Sequence, residues 1–345
     1  MDWLDKARRI LTGESLTPEE GLRILAVRDW AELLPVLAGA HLLRRAAFGE
    51  EVEFATLINA KSGLCPEDCA YCSQSSRSRA TIPRYPLLAE EDIVRGADRA
   101  VALGAKVYCI VTSGRAPTMG ELEHLAEAVR RIKAKFPALR VYGSFGLLDR
   151  EGARILRESG LDGYNHNLNT SRRMYPRIVT THTYDDRLKT LQVVREVGMR
   201  VISGAIFGMG EEASDVLALA EDLARAEVDE VPVNFLIPIP GTPLGNRLPL
   251  SPLRALAVLA FLRYRFPRTP LRLAGGRELS FRTLQPLALL VATSIFVGDY
   301  LTTPGQAPSE DVRLLSDLGW PVSVSDRHEG PKEELFLSHR SGEGI

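Results

Sequence analysis

From residue 51 onward, short apolar runs rich in β-branched and aromatic residues alternate with longer stretches of helical periodicity. Strands are predicted over residues 52–58, 106–112, 139–145, 163–167, 200–206, 230–236, 271–274 and 294–297. The intervening pattern predicts helices over 90–104, 119–135, 149–159, 184–197, 213–226, 253–265 and 281–290, with a last helix over 308–318. Eight strands, each followed by a helix across residues 51–320, predict an α/β fold, a (β/α)8 barrel of the TIM type. A doubly wound open sheet is the other fold considered, but no Gly-x-Gly-x-x-Gly follows the first strand. Residues 1–50 read as an N-terminal helical extension, with Thr17 capping a helix that starts at Pro18. The plain reading of this extension is a cover over one barrel end; a partner-binding arm is the alternative. Residues 321–345 are polar and charged and read as a flexible tail.

Composition narrows the class. Hydrophobic residues make up 45% and charged residues 25%, as in a globular chain with a sizeable core, and the net charge is −1. That balance argues against nucleic-acid and anionic-membrane partners. No apolar run approaches the ~20 residues that span a bilayer. The start of the chain lacks the build of a signal peptide, so a cytoplasmic protein is expected. In that reducing setting the four cysteines point to metal rather than disulfides.

Three of the four lie in one loop directly after the first strand, as Cys65-x3-Cys69-x2-Cys72. Thiolate is the soft ligand of iron–sulfur clusters and zinc. A structural zinc site takes four protein ligands, and the nearest histidines in sequence are His41 and His124. Three thiolates on a [4Fe–4S] cube leave one iron open to a small molecule. A zinc knuckle completed by a distant residue and a chance group of buried cysteines are the competing readings.

A barrel of this kind carries its active site where the strands end. Those ends hold Asn165, Asn167, Asn169, Asn234, Thr302 and Thr303, uncharged amides and hydroxyls suited to a neutral, amide-like ligand. No nucleophile–base pair or carboxylate pair stands out, which argues against hydrolysis. Bland readings stand beside these. Asn165 and Asn167 also suit Asx-turns, His166 reads as packed outside the barrel, and Gly208-Met209-Gly210 as a turn. Arg272, in a short apolar strand, needs an acidic or metal-site partner. Cys109, mid-strand, also suits an inert core thiol.

The cysteine spacing resembles the signature of the radical S-adenosylmethionine enzymes. The strings Ala60-Lys61-Ser62-Gly63-Leu64-Cys65-Pro66-Glu67-Asp68-Cys69, Tyr164-Asn165-His166-Asn167-Leu168-Asn169-Thr170 and Tyr300-Leu301-Thr302-Thr303-Pro304 are similar specifically to those of the biotin synthase family, a likeness running from about residue 10 to 320. The resemblance implies conversion of dethiobiotin to biotin, with a 5′-deoxyadenosyl radical removing hydrogens and sulfur inserted between the two carbons. It implies that Cys65, Cys69 and Cys72 hold a [4Fe–4S] cluster and that Asn167, Asn169 and Arg187 lie near S-adenosylmethionine. Asn169 stands where many members carry Asp. Lys61, Asn165, Asn234, Thr302 and Thr303 would line the dethiobiotin site. A reducing flavodoxin- or ferredoxin-type protein and a homodimer are the implied partners.

The departure from the family concerns a second, [2Fe–2S] cluster, held there by three strand cysteines and one arginine. Cys109 and Arg272 occupy two of those positions, while Tyr142 and Ile202 occupy the others. Three readings stay open: a biotin synthase whose second iron–sulfur cluster is of another type, anchored by Cys109; a radical enzyme of the same barrel doing mutase or hydrogen-abstraction chemistry without sulfur insertion; and a non-catalytic iron–sulfur or zinc protein.

Overall fold

Crossover helices between successive strands return the chain to the same end of the sheet, so neighbouring strands pair in parallel. The computed structural model describes residues 1–321, so nearly all of the expected tail, residues 322–345, lies outside the described residues. The strands are β1 (Glu53–Lys61), β2 (Val107–Thr112), β3 (Arg140–Ser144), β4 (Gly163–Asn165) and β5 (Arg200–Ile202). They continue with β6 (Ala205–Phe207), β7 (Val231–Phe235), β8 (Leu271–Leu273) and β9 (Ser294–Phe296). All nine form one parallel sheet in the order β5-β4-β3-β2-β1-β9-β8-β7-β6.

The two outer members of that order, β5 and β6, are neighbours in the chain, separated only by Ser203 and Gly204. Bridges Ile202↔Glu230 and Asn169↔Ala205 cross this seam. The sheet therefore curls shut as an eight-position barrel whose fifth strand is split. The expected strand over 200–206 is corrected to this pair. The cause is a close backbone approach: a Cβ on Gly204 would sit 1.8 Å from the Pro232 carbonyl oxygen.

Side-chain alternation divides the buried residues into two sets. Ala55, Val107, Cys109, Tyr142, Ile202, Ala274, Phe296 and Tyr300 pack together inside the barrel. A much larger cluster lies between the outer sheet face and the helices. Several helices begin where the sequence places a cap: Thr17, Thr118 and Thr183 each form a capping box with the residue three further on. The single helix expected over 281–290 is instead broken. Arg277–Phe281 ends where Arg282 takes φ +54°, a 3-10 turn follows, and Gln285–Leu289 restarts with Pro286 in its first turn.

The N-terminal helices α1 (Trp3–Leu11), α2 (Pro18–Leu25) and α3 (Trp30–Phe48) pack around the helix Pro252–Arg265. At the C-terminal end of α3, Arg44 donates to the carbonyls of Ala292 (3.1 Å) and Glu51 (2.8 Å), just ahead of β9 and β1. Its guanidinium lies 4.5 Å from the Trp320 ring centroid, on which His41 stacks. The extension thus meets the end where strands begin, away from the cysteine loop. Among the described residues no helix is long and apolar enough to cross a membrane.

Candidate active site

The cysteine loop leaves β1 at Lys61 and is fastened at each step. Ser62 exchanges two backbone bonds with Tyr85 (3.1 Å each), and the Ser113 hydroxyl donates to the Gly63 carbonyl (2.7 Å). The Gly63 N–H donates to the Gln74 side chain (2.9 Å). Within the loop the two acids between the cysteines face the segment Thr180-Thr181-His182. The Thr180 N–H donates to Asp68 (2.8 Å), and the Thr180 hydroxyl does so as well. Glu67 accepts from the Thr181 hydroxyl, from His182 Nδ1 and from Arg115 (3.3 Å). Both carboxyls are held below their ordinary range by these donors, against the opposing effect of burial.

Behind this clamp, His182 Nε2 accepts from Arg187 (3.1 Å), and Arg187 also donates to the Asn167 carbonyl (2.7 Å) and to the Tyr175 hydroxyl. Burial, then the Arg187 charge, hold His182 below its ordinary pKa. The neutral ring donates on one side and accepts on the other. Glu67, His182 and Arg187 thereby couple the cysteine loop to the end of β4.

The three thiols lie near enough to act on one another electrostatically. Burial pushes Cys65 up, Cys69 to about 11 and Cys72 to about 12; Cys65 raises Cys69, Cys69 and Cys65 raise Cys72, and Arg187 draws Cys69 down. Without metal these are protonated thiols; iron would bind the thiolates. Among the described residues no three His, Cys, Asp or Glu side chains gather on a single-ion site. Thiolates are the ligands an iron–sulfur cluster takes, so the donor chemistry of the three cysteines fits one.

Around the loop, Asn169 donates from Nδ2 to the Tyr71 hydroxyl (2.7 Å) at φ +68°, and Thr302 shares a 2.6 Å hydroxyl contact with Ser73. Asn167 accepts the Gly204 N–H (2.9 Å) and so pins the strand seam. Asn234 spans β6 to the end of β8, donating to the Ala205 carbonyl and accepting from the Gly275 N–H, both at 3.2 Å. Thr303 pairs with Tyr300 through two 2.9 Å backbone bonds. Lys61 reaches Glu121 (2.6 Å), at the start of the helix Met119–Lys135. His166 is buried, its ring against Tyr164, and burial lowers its pKa well below the ordinary value.

Deeper inside, Arg272 meets Glu230 at 2.8 Å, with both side chains essentially inaccessible. Burial pushes the Cys109 thiol up to about 12, while Arg272 and a hydrogen bond from Asn165 pull the other way.

Sequence reasoning missed Tyr71, Glu67, Asp68, His182, Glu230, Asn59 and Glu211. Two acids inside a thiol loop were a visible signal, because buried carboxylates need donors. Asn59 could have been read from alternation: Ala55 and Leu57 face the barrel interior, so Asn59 does too. It donates to the Leu301 carbonyl (3.3 Å), and its Oδ1, like that of Asn165, is buried without a partner among the described residues. Glu211 accepts the Gly208 N–H (2.6 Å), giving the Gly208-Met209-Gly210 turn its anchor.

Residues 61–223 match the family model described as the Radical SAM superfamily, and residues 232–321 that of the Biotin and Thiamin Synthesis associated domain. The biotin synthase of Anoxybacillus flavithermus is 48% identical over 94% of this chain and 98% of its own length. That of Bacillus subtilis is 47% identical over 93% and 95%. The chain belongs to the biotin synthase family. Solved structures agree on the fold: methylornithine synthase superposes with a TM-score of 0.81 at 20% identity, covering 96% of this chain and 98% of its own. The hydrogenase maturase HydG from Carboxydothermus hydrogenoformans gives 0.78 at 18% identity, covering 92% and 78%. As in other members of the biotin synthase family, an iron–sulfur cluster and S-adenosylmethionine are implied, and the three-thiol loop at the strand ends suits both.

Proposed function

We propose that this chain is a biotin synthase that inserts sulfur into dethiobiotin at the strand-end face of the barrel. The observation that carries the reading is the convergence there of a three-thiol loop with Asn169, through Tyr71, and with Thr302, through Ser73. A [4Fe–4S] cluster on Cys65, Cys69 and Cys72 would supply the electron that cleaves S-adenosylmethionine to the hydrogen-abstracting 5′-deoxyadenosyl radical. Asn167 and Asn169 offer amide groups to the cofactor, and Arg187 acts as a positioning residue behind Cys69. The unpartnered Oδ1 atoms of Asn165 and Asn59 suit the ureido N–H groups of dethiobiotin, and Asn234 adds a third carboxamide. Lys61, Thr302 and Thr303 supply the cation and hydroxyls that suit its carboxylate. A flavodoxin- or ferredoxin-type reductant, a homodimer and a cytoplasmic setting complete the proposal.

A radical reaction without sulfur insertion is the second reading, favoured by Tyr142 and Ile202 at the second-cluster positions. The deciding experiment is an anaerobic incubation with dethiobiotin, S-adenosylmethionine and a reductant, quantifying biotin and 5′-deoxyadenosine together. Both products are expected. Deoxyadenosine without biotin, even with added sulfide, sinks sulfur insertion; absence of both with a loaded cluster returns the chain to the non-catalytic class.

A further inference from the structure

The barrel interior is where family resemblance puts a second cluster, and the residues there do not fit one. A [2Fe–2S] unit takes four protein ligands. Of the side chains at those positions only Cys109 and Arg272 are of the right kind, and Cys109 lies in register with Tyr142 on β3. Arg272 is already committed. Its Nη2 is 2.8 Å from Glu230 Oε1, a charge contact not aligned as a hydrogen bond, its Nε donates to the Ser294 hydroxyl (3.1 Å), and its guanidinium lies 5.8 Å from the Tyr142 ring and 5.3 Å from that of Phe296. The Tyr142 hydroxyl donates to the other Glu230 oxygen (3.4 Å). A buried guanidinium needs acceptors for its N–H groups, and an anion beside it also offsets the burial of its charge. Where an anionic thiolate-bound cluster could serve, this chain supplies a carboxylate, and an added cluster would bury negative charge beside it. Tyr142 and Ile202 pack into the same interior group.

We infer that Glu230, Tyr142 and Ile202 take the place of the second cluster, so this chain holds a single iron–sulfur cluster. Sulfur for the product then comes from a donor not held on these strands. The statement about sulfur rests on the reaction proposed above; the statement about iron does not. The test is iron and acid-labile sulfide content of the full chain after anaerobic reconstitution with excess iron and sulfide, in wild type and in Cys109→Ala. About four irons per chain are expected in both. A wild-type count clearly above four overturns the inference, and a fall to four in Cys109→Ala would name Cys109 as the ligand. Turnover is scored separately. Four irons with biotin formed supports both statements, whereas four irons with no biotin removes the functional reading and leaves the single-cluster inference standing.

Discussion

Asn169 sits at φ +68°, a conformation in which most side chains are strained, and it uses that position to reach Tyr71 between Cys69 and Cys72. Two substitutions separate the backbone from the bond. Asn169→Ala loses the hydrogen bond and adds backbone strain of about 1 kcal/mol; Asn169→Gly loses the bond alone. Both are expected to raise the KM for S-adenosylmethionine and to melt lower than wild type, the alanine variant lower than the glycine one. Equal melting temperatures for the two variants would show that the site is not strained. Glu230 makes a different prediction. Glu230→Ala strands Arg272 in the interior and is expected to cost about 3–5 kcal/mol in urea unfolding. Removing both partners, Glu230→Ala with Arg272→Leu, should recover much of that loss. Simple additivity of the two would mean that the pair is not coupled. The cysteines and the three asparagines of the β4 end could be read from sequence because their chemistry is local. Glu230 could not, since its partners lie on β3 and β8 and only the closed barrel brings them together.

At the scale of elements, most strands and helices follow directly from periodicity, and the failures have physical causes. Residues 200–206 read as one strand, and Ser203-Gly204 in the middle was the sign of a break, because Gly204 closely approaches the Pro232 carbonyl. The 281–290 segment also carried a warning, Pro286, which belongs in a first turn rather than a helix interior. The helix Ala213–Arg225 shows how such an element holds the site. Its Asp215 accepts from the Ser171 hydroxyl (2.6 Å) and Arg173 Nε (2.9 Å), two residues that follow Asn169 and Thr170. Arg173's bonds hold Asp215 down to about 2, below the ~3.9 of an unfolded chain. A carboxyl more acidic folded than unfolded adds stability above about pH 4, and that stability is lost as the pH falls toward 2. Asp215→Asn should therefore be about 1–2 kcal/mol less stable at neutral pH and lose less further stability on acidification. Parallel pH curves in urea melts for both proteins would remove Asp215 from this role.

Across the whole molecule the two barrel ends are built differently. The end where strands begin is sealed by Arg44, His41 and Trp320, which draw the N-terminal helices and the last described residues onto the carbonyls ahead of β9 and β1. Arg44→Ala leaves buried carbonyls without donors and is expected to cost about 2–3 kcal/mol, with the iron content of the reconstituted protein unchanged. Loss of iron uptake in a folded variant would tie this end to the site. At the opposite end Glu67 and Asp68 grip Thr180, Thr181 and His182, so protein contacts fasten the thiol loop. Stripping iron with a chelator should then shift the circular-dichroism melting temperature by only a few degrees, unlike a zinc finger, whose fold depends on its metal. A large shift would show that the clamp is not sufficient. A small shift would make cofactor loading a docking into a finished receptacle rather than a step in folding, so that iron loss leaves an intact, reloadable chain.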